Sequence, residues 1–279
     1  MMNNFIEQTI DLLKRSDIYV RQTEIRPVKF KFEEGKNSPS LHLSCSDSYG
    51  GAKLSNNFIL QTMMMFTVLD AAIDIRYPHL QGESYRKKYQ SLPNSTDDEI
   101  ILKGIFRVFK LFRNASVHSM SSINYDSDKM SVSYTYRHTS YNIEISKYGF
   151  ELLFTYILDI LDPLDKFTSH HHTSLNRKIY DEIKREIITF NDEFGAGLLD
   201  ISNQIRLKRV VRYYIENPKY LKVDGNIQIT SIYELEPMIE DHYGVDYFIE
   251  LDSLQYLIPA EVLNNNQIST DEMQHWIIK

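Results

Sequence analysis

The sequence predicts a mainly α fold: a helical bundle with one inserted β-hairpin, followed by a smaller α+β C-terminal region. Three observations carry this. Residues 55–78, 97–117 and 147–163 each bear apolar side chains at helical spacing. Between the second and third, "KMSVSYTYRHTSYNIEIS" alternates about a polar centre, as the two strands of a hairpin do. Past residue 175 shorter stretches of both periods follow one another.

In chain order, "NFIEQTIDLLKR" places Phe5, Ile6, Ile10 and Leu13 on one face of a short opening helix. Residues 16–53 carry Pro27, Pro39 and the Gly50-Gly51 pair, with strands expected around "VKFKF" and "LHLSC". From Ser55 a run of strong apolar content stops at Pro78 and reads as a helix covered on most sides. Within it Asp70 and Asp74 share a face, either to meet basic residues of a neighbouring helix or to orient catalytic groups. A polar connector leads to Thr96, Asp97, Asp98 and Glu99, which supply an N-cap and negative charge for the next helix.

After the hairpin, "KYGFELLFTYILDILDPL" returns to a buried helix ending at Pro163. "DKFTSHHHTS" reads as a linker whose three histidines, His170 to His172, form an exposed loop rather than a metal site. Beyond it the sequence suggests an amphipathic helix near 175–191 and a basic one near 203–216. A strand pair in "YLKVDGNIQIT" and a helix over "IYELEPMIEDHYG" complete the chain. Arg206, Lys208, Arg209 and Arg212 sit on either an exposed structural helix or a second phosphate-facing surface. The domain expectation is therefore 1–54 packed on the bundle, 55–165 as the bundle, 166–174 as linker, and 175–279 as an α+β domain.

At 279 residues and 42% hydrophobic content the chain can bury one main domain and a smaller appendage. Its net charge of −7 repels nucleic acid in bulk, so any RNA contact must come from a local basic patch. A single cysteine, Cys45, excludes an internal disulfide framework and fits a reducing, cytoplasmic setting. No signal-peptide pattern opens the sequence, and no apolar run reaches the roughly 20 residues that span a bilayer. The expectation is a cytoplasmic protein without membrane contact.

The strongest local charge anomaly lies in the central helix. No acidic residue occurs between Glu99 and Asp126, while Lys103, Arg107, Lys110 and Arg113 are all basic. At 100° per residue, Lys103, Arg107, Lys110, Asn114 and His118 fall in a stripe about 80° wide. Leu102, Ile105, Phe109 and Phe112 occupy the opposite, core-facing side. Arg113 lies about 140° from His118, at the border of the apolar face.

A histidine beside arginine and asparagine suits RNA cleavage through the 2′-hydroxyl. That reaction needs a base, an acid, and positive charge on the phosphate as its negative charge grows. Arginine binds phosphate oxygens bidentately, and histidine exchanges protons near neutral pH. One histidine per chain leaves a proton-transfer group missing; a symmetric dimer with both copies of Arg113 and His118 in one cleft supplies it without metal.

The run "LFRNASVHSM" resembles the signature of the HEPN (higher eukaryote and prokaryote nucleotide-binding) superfamily, in which Arg, often followed by a polar residue, precedes His by four to six intervening positions. Arg113, Asn114 and His118 match with four between. The resemblance covers about residues 55–163 and implies a HEPN-like bundle acting as a homodimeric, metal-independent endoribonuclease with no cofactor. Its partners would be RNA and an antitoxin or defence-system partner, as in toxin–antitoxin pairs and antiphage effectors. His118 would be the acid/base group, Arg113 the phosphate ligand and Asn114 a polar assistant, with Lys103, Arg107 and Lys110 binding substrate and Asp70 and Asp74 supporting. Members paired with a minimal nucleotidyltransferase antitoxin often carry Tyr two positions after the histidine; here that position is Met120. The alternative is a non-catalytic HEPN module that binds nucleotide, RNA or protein.

Overall fold

The computed structural model describes residues 2–14, 23–33, 36–41, 58–118, 122–161, 167–209, 211–233 and 243–278. Cys45, Gly50, Gly51, Met120 and most of the helix expected over 232–244 lie outside them. The chain divides into two compact units that interleave along the sequence. Unit 1 comprises residues 1–21, 48–162 and 179–202; unit 2 comprises 22–47, 163–178 and 203–279.

The mainly α expectation is overturned. The described residues form an α+β fold with three sheets, of six, five and three strands. In unit 1, α1 (Met2–Lys14) lays Ile6 and Ile10 against Ala71 of α2 (Phe58–Arg76). Next, α3 (Tyr85–Ser91) is capped by Ser84, whose side chain accepts from the Lys87 amide. It lies inside the stretch that the sequence shows as a polar connector. The long α4 (Asp97–His118) and α5 (Lys147–Leu161) complete the helical layer, where Phe106, Phe109, Phe112, Phe150 and Phe154 are buried in one continuous core.

Helix α2 is mostly apolar apart from a few polar positions, Asp70 and Asp74 among them, and by length and composition alone it is long and apolar enough to cross a membrane, contrary to the sequence expectation that no run is. Burial of Met65, Phe66, Val68, Leu69 and Ile73 in a core shared with α4 and α5 accounts for that composition.

The hairpin is where the alternation places it. β4 (Lys129–Tyr136) and β5 (Thr139–Ser146) pair antiparallel, with Met130, Val132, Ile143 and Ile145 facing inward. It belongs to a five-stranded antiparallel sheet, flanked by β3 (Ile123–Tyr125), β6 (Ile187–Asp192) and β7 (Gly195–Ala196). The helix expected near 175–191 is α6 (Ser169–Glu186), and its predicted end becomes β6, whose Ile187, Ile188 and Thr189 favour a strand.

In unit 2, β1 (Glu24–Glu33) pairs with β2 (Lys36–Leu41) and, in parallel, with β8 (Val211–Ile215). β8 in turn runs parallel to β11 (Tyr243–Leu251), which β12 (Leu254–Pro259) and β14 (Ile277–Ile278) extend antiparallel. The basic helix expected near 203–216 is thus replaced by irregular chain and a strand. β8 lies in the middle of the sheet, and a strand covered on both faces loses the alternation that would reveal it. A three-stranded sheet of β9 (Tyr220–Val223), β10 (Asn226–Ile229) and β13 (Gln267–Ser269) contains the expected strand pair.

The expected linker, 166–174, is also corrected from Ser169 onward, where α6 begins. Its histidines are not an exposed loop. His171 is fully buried, with Nε2 3.4 Å from Asp246, and His170 packs edge-on against Trp276. Arg212, expected on a solvated or phosphate-facing surface, is fully buried. It donates to both Asp246 oxygens over 2.6 and 2.8 Å and also reaches Glu261.

Candidate active site

The basic stripe of α4 exists, but most of it faces protein. Lys103, Arg107 and Lys110 are buried. Lys103 donates to the Leu92 carbonyl over 2.6 Å, and burial lowers its pKa. Arg107 clamps Asp192 with Nε at 2.9 Å and Nη2 at 2.6 Å, and also donates to the carbonyls of Gly195 and Gly197. Burial pulls its pKa down, yet the Asp192 carboxylate outweighs this and holds it above the ordinary value. Lys110 donates to Glu193 over 2.5 Å and lies 3.7 Å from Asp192.

The acceptors of Arg107 and Lys110 come from the β6–β7 turn and the residues beside it. Gly195 adopts φ of +97°, which a side chain would strain, and this presents its carbonyl to Arg107. The substrate-binding expectation for Lys103, Arg107 and Lys110 is therefore corrected. A helical wheel identifies the polar face of α4 but not the acidic turn that covers it.

Asp70 and Asp74 converge on one cation. Lys88 of α3 is buried and donates to Asp70 over 2.7 Å and to Asp74 over 2.5 Å. This is the neighbouring-helix pairing that their i, i+4 spacing allows. Burial would depress the Lys88 pKa, but the two carboxylates raise it. The Asp70 pKa is raised, first by burial, while Lys88 and then Arg113 act against the rise.

Arg113 is half-buried, with its guanidinium 4.9 Å from the centre of the Tyr85 ring. Its Nη1 donates to Asn114 Oδ1 over 3.1 Å, and it forms no ion pair among the described residues. Asn114 opposes the rise in the pKa of Tyr134 on the hairpin. Burial first, then Tyr141 and Glu193, push the Tyr134 pKa up to about 12, so its hydroxyl keeps its proton at neutral pH. His118 is exposed on the last turn of α4.

Comparisons with protein-family models, with curated proteins and with solved structures returned no match. The HEPN resemblance rests on the run from Leu111 to Met120 and on its position at the end of α4.

Sequence reading missed Lys88, Asp192, Glu193, Tyr85 and Tyr134. Tyr134 was the most accessible of these, because it continues the inward register of Met130 and Val132. The "NDEFGAG" stretch carries a visible turn signal, but nothing local connects it to a helix about 85 positions earlier. Among the described residues, no group of three or more His, Cys, Asp or Glu side chains could hold a metal ion.

Proposed function

We propose that this chain is a cytoplasmic, metal-independent endoribonuclease of HEPN type that acts as a homodimer, in a toxin–antitoxin or antiphage-defence setting. One observation carries the reading. Of the five basic side chains on α4, three are consumed by internal partners, whereas Arg113 and His118, the two that match the motif, keep access to solvent. Arg113 would hold the phosphate through its fork, Asn114 would fix that fork, and His118 would move the protons. The second proton-transfer group would be His118 of a second copy, since each chain supplies one.

A non-catalytic module is supported by a different observation. Asp70 and Asp74 bring two carboxylates against the single charge of Lys88, and Arg113 acts electrostatically on Asp70. Arg113 then completes a structural charge balance, and the protein binds RNA or a partner without cutting.

The discriminating experiment incubates purified protein with labelled RNA in EDTA, beside His118→Ala and Arg113→Ala. Cleavage by the parent and loss in both variants is expected. Intact RNA in all three samples removes the nuclease reading and, if RNA affinity persists, leaves the binding module.

A further inference from the structure

The charges that sequence reading assigned to substrate are buried, so RNA would have to be held by other side chains near Arg113. The β4–β5 hairpin offers a set in the same unit. Tyr134 and Tyr141 are directly opposed across the strands, with ring centroids 4.9 Å apart and planes within 5° of parallel. Both keep partial exposure. Tyr136 continues the Tyr134 face two residues on and is more than half exposed. The guanidinium of Arg137 lies 5.1 Å from its ring centre.

Cations border this aromatic strip. Asn114, which accepts from Arg113, acts on the Tyr134 hydroxyl against the rise that burial imposes on its pKa. Arg86 on α3 is exposed, and its charge acts against the rise that burial imposes on the Tyr141 pKa. Glu193 and Asp192 also act on both tyrosines, but Lys110 and Arg107 pair with them. The cationic rim of Arg86, Arg113 and Arg137 therefore stays available to an anionic ligand.

The turn adds an independent observation. Arg137 and His138 occupy φ of +46° and +65°, where Asn-Gly would sit without strain. This places Arg137 and His138, both exposed, at the tip of the hairpin beside Tyr136.

Partly exposed tyrosine rings with guanidinium groups nearby suit single-stranded nucleic acid. The bases stack, and the arginines follow the backbone. We propose that the Tyr134–Tyr141 pair, rimmed by Arg86, Arg113 and Arg137, is a base-stacking subsite for single-stranded RNA, leading the strand to the end of α4. This rests on the RNA reading above but does not require that the RNA be cut.

The test measures binding by anisotropy in EDTA with a labelled single-stranded RNA and with an abasic ribose-phosphate chain of the same length. Both probes carry the same phosphates, so the comparison isolates stacking. The parent protein is expected to bind the RNA about 10- to 100-fold more tightly than the abasic chain. Tyr141→Ala should lose that preference, and Tyr141→Phe should keep it. Equal affinity of the parent for both probes overturns the subsite, whether or not the RNA is cleaved. So does an unchanged preference in a folded Tyr141→Ala protein. A base preference without cleavage upholds the subsite while the nuclease reading fails. Because the probe comparison uses the parent protein, it stands even if Tyr141→Ala does not fold.

Discussion

Arg113 donates from Nη1 to the Oδ1 of its own neighbour Asn114 over 3.1 Å, and its guanidinium lies 4.9 Å from the centre of the Tyr85 ring. Asn114 and Tyr85 together hold the guanidinium near the last turns of α4. Asn114→Ala removes the acceptor that orients the guanidinium without disturbing the core. RNA affinity should fall by about fivefold, the equivalent of ~1 kcal/mol for one hydrogen bond. Binding measured by anisotropy checks this, and an unchanged affinity would show that Arg113 needs no orientation from Asn114.

Lys88 is a buried cation shared by the carboxylates of Asp70 and Asp74. Lys88→Met leaves both with no ion partner on α3 and should cost about 3 kcal/mol in denaturant unfolding. Replacing both carboxylates as well, with Asp70→Asn and Asp74→Asn, should recover most of that loss.

Asp70 also sets a pH dependence. Its folded pKa lies above the ordinary 3.8, so the folded state binds the proton more tightly than the unfolded chain. Its contribution to stability is full below the unfolded value and is lost as pH rises through the folded one. Asp70→Asn should flatten the stability profile on the alkaline side of about pH 4. Denaturant midpoints measured across about pH 3–7 provide the check.

In unit 2 the sign is opposite. Burial would raise the Asp246 pKa, but Arg212 and His171 lower it to about 2. Stability from this group is present above the unfolded value and is lost as pH falls through the folded one. The only tryptophan, Trp276, packs edge-on against His171, so its fluorescence should report the acid transition near pH 2. Asp246→Ala leaves the Arg212 charge short of a partner and should cost about 3 kcal/mol.

Gly104 lets α4 approach α6. A Cβ there would stand 2.6 Å from the Tyr180 hydroxyl oxygen and 2.9 Å from Cε2 of the same buried ring. Alanine favours a helix by ~1 kcal/mol over glycine, yet Gly104→Ala should still destabilise by about 1–3 kcal/mol through overpacking. A rise in denaturant midpoint would show that the ring can move aside.

The sequence alone determined what depends on neighbours in the chain. The periods of α2, α4 and α5, the β4–β5 hairpin, the β9–β10 pair and the apolar side of α4 are local, because burial repeats with the geometry of each element. The pairing of Asp70 and Asp74 with a neighbouring helix was one of the two readings their spacing allowed.

Tertiary structure decided which partner covers each face. The parallel ladder of residues 24–28, 211–215 and 243–247 joins segments remote in sequence, and β8, buried on both sides, carried no strand alternation. The cationic stripe of α4 was legible as a stripe, but its solvent exposure was not. The polar face of a helix is solvated only until another segment lies over it, and here Asp192 and Glu193 take Arg107 and Lys110 inside. What remained outside were Arg113 and His118, because the acidic turn covers only the cations that lie beneath it.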